Sequence, residues 1–177
     1  AKTAGSVLKK TVMELGGSDP YIILEDADLE MATETCVTAR LINGGQSCIA
    51  AKRFIVVNKV YDEFEKLFVE KMKSKKMGDP FDESNHVGPK ASVSLRDKLH
   101  QQVLRSIELG AKLLLGGKIP ETEGAWYLPT VLSNVKKGMP AYDEELFGPV
   151  AALIKAKNEE GAIEIANDTI FGLGAAV

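Results

Sequence analysis

Histidine and cysteine are scarce in this chain of 177 residues, which has two of each. Cys36 and Cys48 lack the paired spacing of a zinc ligand set and are too few for a disulfide framework, so neither a structural metal nor a cross-linked secreted scaffold is expected. A reducing cytoplasm fits that thiol usage best. His86 falls in a loop and His100 on a polar part of a helical pattern, which argues against a Cys–His hydrolase. No apolar run approaches the length of a membrane span, and the opening Ala1-Lys2-Thr3-Ala4-Gly5-Ser6 carries no signal-peptide core. Missing too are a G-x-G-x-x-G between a strand and a helix and a Walker-type G-x-x-x-x-G-K-[ST], so neither standard nucleotide cradle is present.

What is there is ordinary in bulk. Hydrophobic residues make up 45% and charged residues 27%, the balance of one globular domain with a sizeable core. The net charge of −3 argues against a nucleic-acid partner. Lys71, Lys73, Lys75 and Lys76 form a short basic run, best read as a solvated helix end whose cations suit the negative pole of the helix dipole.

Hydrophobic periodicity alternates along the chain. Thr11 to Leu15 is β-prone, and Tyr21-Ile22-Ile23-Leu24 is a continuous apolar run of the kind buried on both faces of a parallel sheet. Leu29, Ala32, Cys36 and Ala39 then share one helical face, with Asp26 as its cap and Gly44-Gly45 as its end. Arg53 to Asn58 reads as a strand whose Asn58 caps an amphipathic helix carrying Val60, Phe64, Leu67, Phe68 and Met72. Leu95, Leu99, Val103 and Ile107 make a third helix, closed by Gly110. Lys112 to Gly117, Trp126 to Leu132 and Ala151 to Lys155 are extended, Pro129 suiting the second to a sheet edge, and Glu159 to Asp168 is a last helix. Strands alternating with helices predict an α/β fold, a three-layer sandwich with a largely parallel sheet.

Three places carry chemistry. In Asn43-Gly44-Gly45-Gln46-Ser47-Cys48 a thiol follows a glycine turn that frees backbone N–H groups to face a ligand. Such donors favour a thiolate and would also stabilise an oxyanion, which makes Cys48 a candidate nucleophile. Cys36, on the core face of its helix, reads as structural. Glu14 stands before Leu15-Gly16-Gly17, where a carboxylate faces a cleft or a solvent rim with equal plausibility. Glu145 precedes Leu146-Phe147-Gly148-Pro149, a turn presenting an acid and an aromatic ring together.

Glu14 to Pro20, Asn43 to Cys48 and Glu144 to Val150 together resemble, in order and separation, three signature blocks of the NAD(P)-dependent aldehyde dehydrogenases. The wording Gly17-Ser18-Asp19-Pro20 and Ala50-Ala51-Lys52-Arg53-Phe54 looks most like that of bacterial succinate-semialdehyde dehydrogenases. The resemblance implies that residues 1–177 are that family's catalytic (C-terminal) domain, with the cofactor-binding domain and a C-terminal segment lying outside them. It implies that Cys48 attacks the aldehyde, that Glu14 activates the water that hydrolyses the thioester, and that Glu145 and Phe147 face the cofactor, NAD or NADP. Asn43 is implied to support the loop. The partners so implied are a small-molecule aldehyde, foremost succinate semialdehyde, and further copies of the full-length protein in a homodimer or homotetramer. Some relatives place a substrate-binding arginine where Ile42 stands; Arg40 is expected to point elsewhere. Alternatives are another aldehyde, acyl transfer to coenzyme A, or a non-catalytic interaction module of the same fold.

Overall fold

The computed structural model describes residues 1–177. Five strands form one sheet: β1 (Pro20–Ile23), β2 (Arg53–Val57), β3 (Lys112–Leu115), β4 (Thr130–Ser133) and β5 (Val150–Ala156), in the order β1-β2-β5-β4-β3. Every pairing is parallel except β3 with β4. The helices are a short α1 (Lys2–Gly5), α2 (Leu29–Leu41), α3 (Tyr61–Ser74), α4 (Val93–Glu108), a short α5 (Pro140–Asp143) and α6 (Glu159–Asn167).

The alternation of side chains along each strand sorts the core into two layers. Phe54, Val56, Val131, Ala151 and Leu153 face α2 and α3, while Ile55, Val57, Leu132, Ala152 and Ile154 face α4, α5 and α6. Aromatic stacking fills the first layer, with Phe68 5.0 Å from Phe54 and 5.6 Å from Phe64 between ring centres. The α/β fold class and its three layers are as the sequence predicts.

Five local expectations are corrected. Thr11 to Leu15 is not a strand; it is exposed and makes no backbone pairing, because β-propensity needs a neighbouring strand and none lies beside it. The helix α2 is capped by Asp28, whose Oδ1 accepts the Met31 N–H at 3.0 Å, since Asp26 falls inside the preceding turn. Asn58 does not cap α3, because its N–H still pairs with Ala156 in the sheet and the helix begins beyond Val60. Of the Trp126 to Leu132 run only Thr130 onward is strand, and β4 sits between β5 and β3 rather than at the edge. Pro129 stands just before it, where a missing N–H costs no ladder bond. The Tyr21 to Leu24 run is not buried on both faces, because β1 is an edge strand; it is only half-buried, with a bridge from Tyr21 to Ala176.

Candidate active site

Each of the three signature stretches lies immediately before a strand. Glu14 to Asp19 leads into β1, Asn43 to Lys52 into β2 and Glu144 to Pro149 into β5. Because β1, β2 and β5 are parallel neighbours, their leading loops emerge at one rim of the sheet. Stretches far apart in sequence are thereby brought into contact.

Glycines make that contact close. After α2 the chain turns through left-handed backbone at Asn43 (φ 51°), Gly44 (φ 62°) and Gly45 (φ 74°). A Cβ on Gly45 would stand 2.2 Å from the Gly148 carbonyl oxygen, and one on Gly17 would stand 2.6 Å from that of Cys48. A Cβ on Gly16 would meet the Glu145 carboxylate at 2.5 Å. All three positions lie where one stretch presses on another, which is the close approach that only glycine permits. Asn43 holds its own turn, its Nδ2 donating to the Gln46 carbonyl at 3.0 Å. Gln46 in turn accepts the Ala91 N–H at 2.8 Å and donates to the Pro89 carbonyl at 3.2 Å.

The Cys48 thiol, partly exposed, stands 3.9 Å from Glu14 Oε2. Glu14 reaches it from an exposed segment outside any helix or strand. Glu145 Oε1 accepts the Gly17 N–H at 3.1 Å and lies 3.4 Å from the Lys52 ammonium. Its Oε2 has no hydrogen-bond partner in the protein. Cys48, Glu14, Glu145 and Phe147 line one cleft of about 640 Å³, so the structure brings all four predicted residues to a single space. The arrangement pairs a soft nucleophile with a carboxylate able to activate water.

The other candidates lie elsewhere. Cys36 is buried in the α2–α3 layer, where desolvation pushes its thiol up to about 12. His86 and His100 do not line the cleft; His100 pairs with the Tyr127 hydroxyl at 3.2 Å. Arg40 is fully buried, donates to the Gly45 carbonyl at 2.8 Å and does not line the cleft.

Four cations around the site were not singled out by residue patterning. Lys52 (1% exposed) donates to the carbonyls of Ser47, Cys48 and Ala50. Arg53, fully buried, donates to the Ser18 carbonyl and to the Ile165 and Ala166 carbonyls at the end of α6, where a cation suits the helix dipole. Lys90 donates to the Phe147 carbonyl beside that ring, and Arg40 completes the group. Burial, and then the charge of Arg40, pulls both Lys52 and Lys90 down from the usual lysine range. The available signal was the pair Lys52-Arg53 opening a wholly apolar strand, an expensive place for charge unless it is bonded.

A sequence profile described as the aldehyde dehydrogenase family matches residues 1–177. The succinate semialdehyde dehydrogenase [NAD(P)+] Sad of Escherichia coli is 52% identical over 98% of this chain and 38% of its own length. A succinate-semialdehyde dehydrogenase [NADP(+)] of Mycobacterium avium is 52% identical over 99% of this chain and 37% of its own length. The crystal structure of succinate-semialdehyde dehydrogenase from Burkholderia pseudomallei superposes with a TM-score of 0.94 at 34% identity, over 98% of this chain and 36% of that one. The chain thus spans well under half the length of the relatives it matches.

Proposed function

The chain belongs to the aldehyde dehydrogenase family, and from that premise we propose that the protein carrying it oxidises an aldehyde, foremost succinate semialdehyde, to the carboxylic acid with NAD or NADP. The observation that carries this reading is the 3.9 Å approach of Glu14 to the Cys48 thiol across a cleft that Glu145 also lines. Cys48, as thiolate, adds to the carbonyl carbon, and the oxygen takes the negative charge of a thiohemiacetal. A nicotinamide held against Glu145 and Phe147 would supply the hydride acceptor that takes this carbon to the oxidation level of the acid. The thioester left on Cys48 is attacked by water whose proton passes to Glu14, and the C–S bond breaks to return the thiolate and release the acid. Glu14 argues for water over coenzyme A as the acceptor, because transfer to a thiol has no need of a water-activating base.

Two features of the cleft suit the nicotinamide half of the cofactor. Glu145 has one carboxylate oxygen held by the Gly17 N–H, which leaves Oε2 to accept from ribose hydroxyls. Phe147 offers a half-buried ring beside it. The rest of the cofactor site, we propose, belongs to a domain outside these residues, as does the remainder of the catalytic subunit. Exposed apolar side chains near the site, Leu15 at 78%, Ile49 at 58% and Ile170 at 91%, suit a covering domain. The 177-residue chain alone is therefore expected to give no dehydrogenase turnover. The test is NAD(P) reduction across an aldehyde panel, with the chain alone and with the full-length protein. Turnover by the chain alone near the full-length rate refutes the division of labour; no turnover by either refutes the activity. Iodoacetamide provides a second check: Cys48 is expected to label much faster than Cys36, and equal slow labelling would favour a non-catalytic module.

A further inference from the structure

Lys52 is a buried cation with no counterpart on the reaction path, and its partners are unusual. Its ammonium, 1% exposed, donates to three carbonyls of the nucleophile loop: Ser47 O at 3.0 Å, Cys48 O at 3.1 Å and Ala50 O at 3.1 Å. The three donors of an ammonium are thus all used on backbone oxygens, and the 3.4 Å approach to Glu145 adds a counter-charge. A lysine that served only to bury its stem would leave its head in water. Here the head is the buried part.

The grip fixes an orientation. No peptide bond in the chain is cis, and in a trans peptide the C=O and the following N–H point in opposite directions. Pulling the Ser47 oxygen inward therefore turns the Cys48 N–H outward, and pulling the Cys48 oxygen inward does the same for the Ile49 N–H. Neither N–H donates to any acceptor within the protein. An outward N–H on the residue that carries the thiol is placed to meet the negative oxygen formed when that thiol adds to a carbonyl. Glu145 links the same cation to the cofactor side of the cleft.

We infer that Lys52 is a positioning residue for the thiol chemistry: by holding the Ser47, Cys48 and Ala50 carbonyls it keeps the Cys48 N–H turned toward the oxyanion. This rests on the functional reading above. The test uses the full-length protein with Lys52→Met, which keeps the length of the stem and removes the ammonium, and Lys52→Arg, which keeps a cation. The Met variant is expected to lose about 10- to 100-fold in kcat, less than the roughly 100- to 1,000-fold of removing an oxyanion donor outright, while the aldehyde KM stays within about threefold. The Arg variant is expected to recover part of that loss. A Met variant within about threefold of the parent kcat overturns the assignment, as does an equal loss in Met and Arg, which would mark packing alone. Should Lys52→Met fail to fold, Lys52→Gln replaces it with the same two readings. A parent protein inactive on every aldehyde overturns the functional reading itself, and the role of Lys52 falls with it.

Discussion

The two ends of the same three parallel strands carry charge in opposite ways. At the leading ends of β1, β2 and β5, Arg40, Lys52 and Arg53 are 0–1% exposed and bind backbone carbonyls. At the trailing ends, Glu25, Lys59, Lys157 and Glu159 are exposed, and Lys59 meets Glu25 at 3.0 Å with both side chains mostly in water. Open parallel sheets usually place ligands beyond the trailing ends, in the crevice where strand order reverses. The cleft lined by Cys48, Glu14 and Glu145 lies instead beyond the leading ends. The leading loops hold the left-handed glycines Gly16, Gly44 and Gly45 and press backbone on backbone; of the trailing loops, those after β1 and β5 run into helices capped by Asp28 and by Asn158, which accepts the Gly161 N–H at 3.1 Å. Lys52 and Arg53 bond through every nitrogen and so hold their loops, whereas Arg40 reaches the Gly45 carbonyl through Nη2 and leaves Nε and Nη1 without partners.

The sharpest way to break that contrast is Gly45→Ala. The new methyl would sit 2.2 Å from the Gly148 oxygen, on backbone that cannot swing aside, and at a φ of 74° that L residues avoid. The left-handed conformation costs about 1–2 kcal/mol and the forced separation of the two loops about 1–3 kcal/mol more. The urea midpoint should fall accordingly. Turnover of the full-length protein should fall about 100-fold, since a shift of an ångström in a reacting group has that scale of effect. Unchanged stability and rate would mean that the leading loops do not depend on their contact.

Lys90→Met tests the buried charge at the same end with a smaller effect. Desolvation, then Arg40, brings the Lys90 ammonium down to about 8 from its usual 10.5. Between those values the folded protein has released a proton that the unfolded chain still holds, so unfolding takes one up and stability rises with pH through that window. The Met variant lacks this rise. Denaturation midpoints of parent and variant, followed from pH 7.5 to 10.5, should therefore shift relative to each other in the parent's favour. Parallel curves would show that Lys90 is not desolvated by its position against Phe147.

The sequence reading reached the fold through periodicity, and the site through residue types. Phe54 and Val56 against Ile55 and Val57 is a two-sided strand, and a sheet buried on both faces follows from it. The glycine turn before Cys48 pointed to it as a candidate, whereas Glu14, Glu145 and Phe147 took their roles from the resemblance to the family's signature blocks. What brings them together was not legible: it depends on β1, β2 and β5 being adjacent, and strand order is decided by long-range pairing. The grip of Lys52 escaped for a related reason. Its partners are carbonyls, which every residue has, so no side-chain pattern announces them. Thr11 to Leu15 failed in the other direction, a β-prone run without a strand beside it to pair with.

The smallest effect should come from the trailing ends. Lys59 and Glu25 form an ion pair at 3.0 Å between the loops after β2 and β1, closer than the pair of Lys52 and Glu145 at the leading rim. Their side chains are 72% and 61% exposed, however, so water and salt screen the attraction, and holding two long side chains together offsets much of what is left. Lys59→Ala should change stability by less than about 0.5 kcal/mol and leave turnover untouched. Lys52 has the same charge and a longer ion-pair distance, 3.4 Å, yet its removal is expected to cost the reaction its oriented donor. If Lys59→Ala instead moved the denaturation midpoint as far as Gly45→Ala, burial would not be what separates the two ends. The difference would then have to lie in distance, where the exposed pair is already the closer of the two.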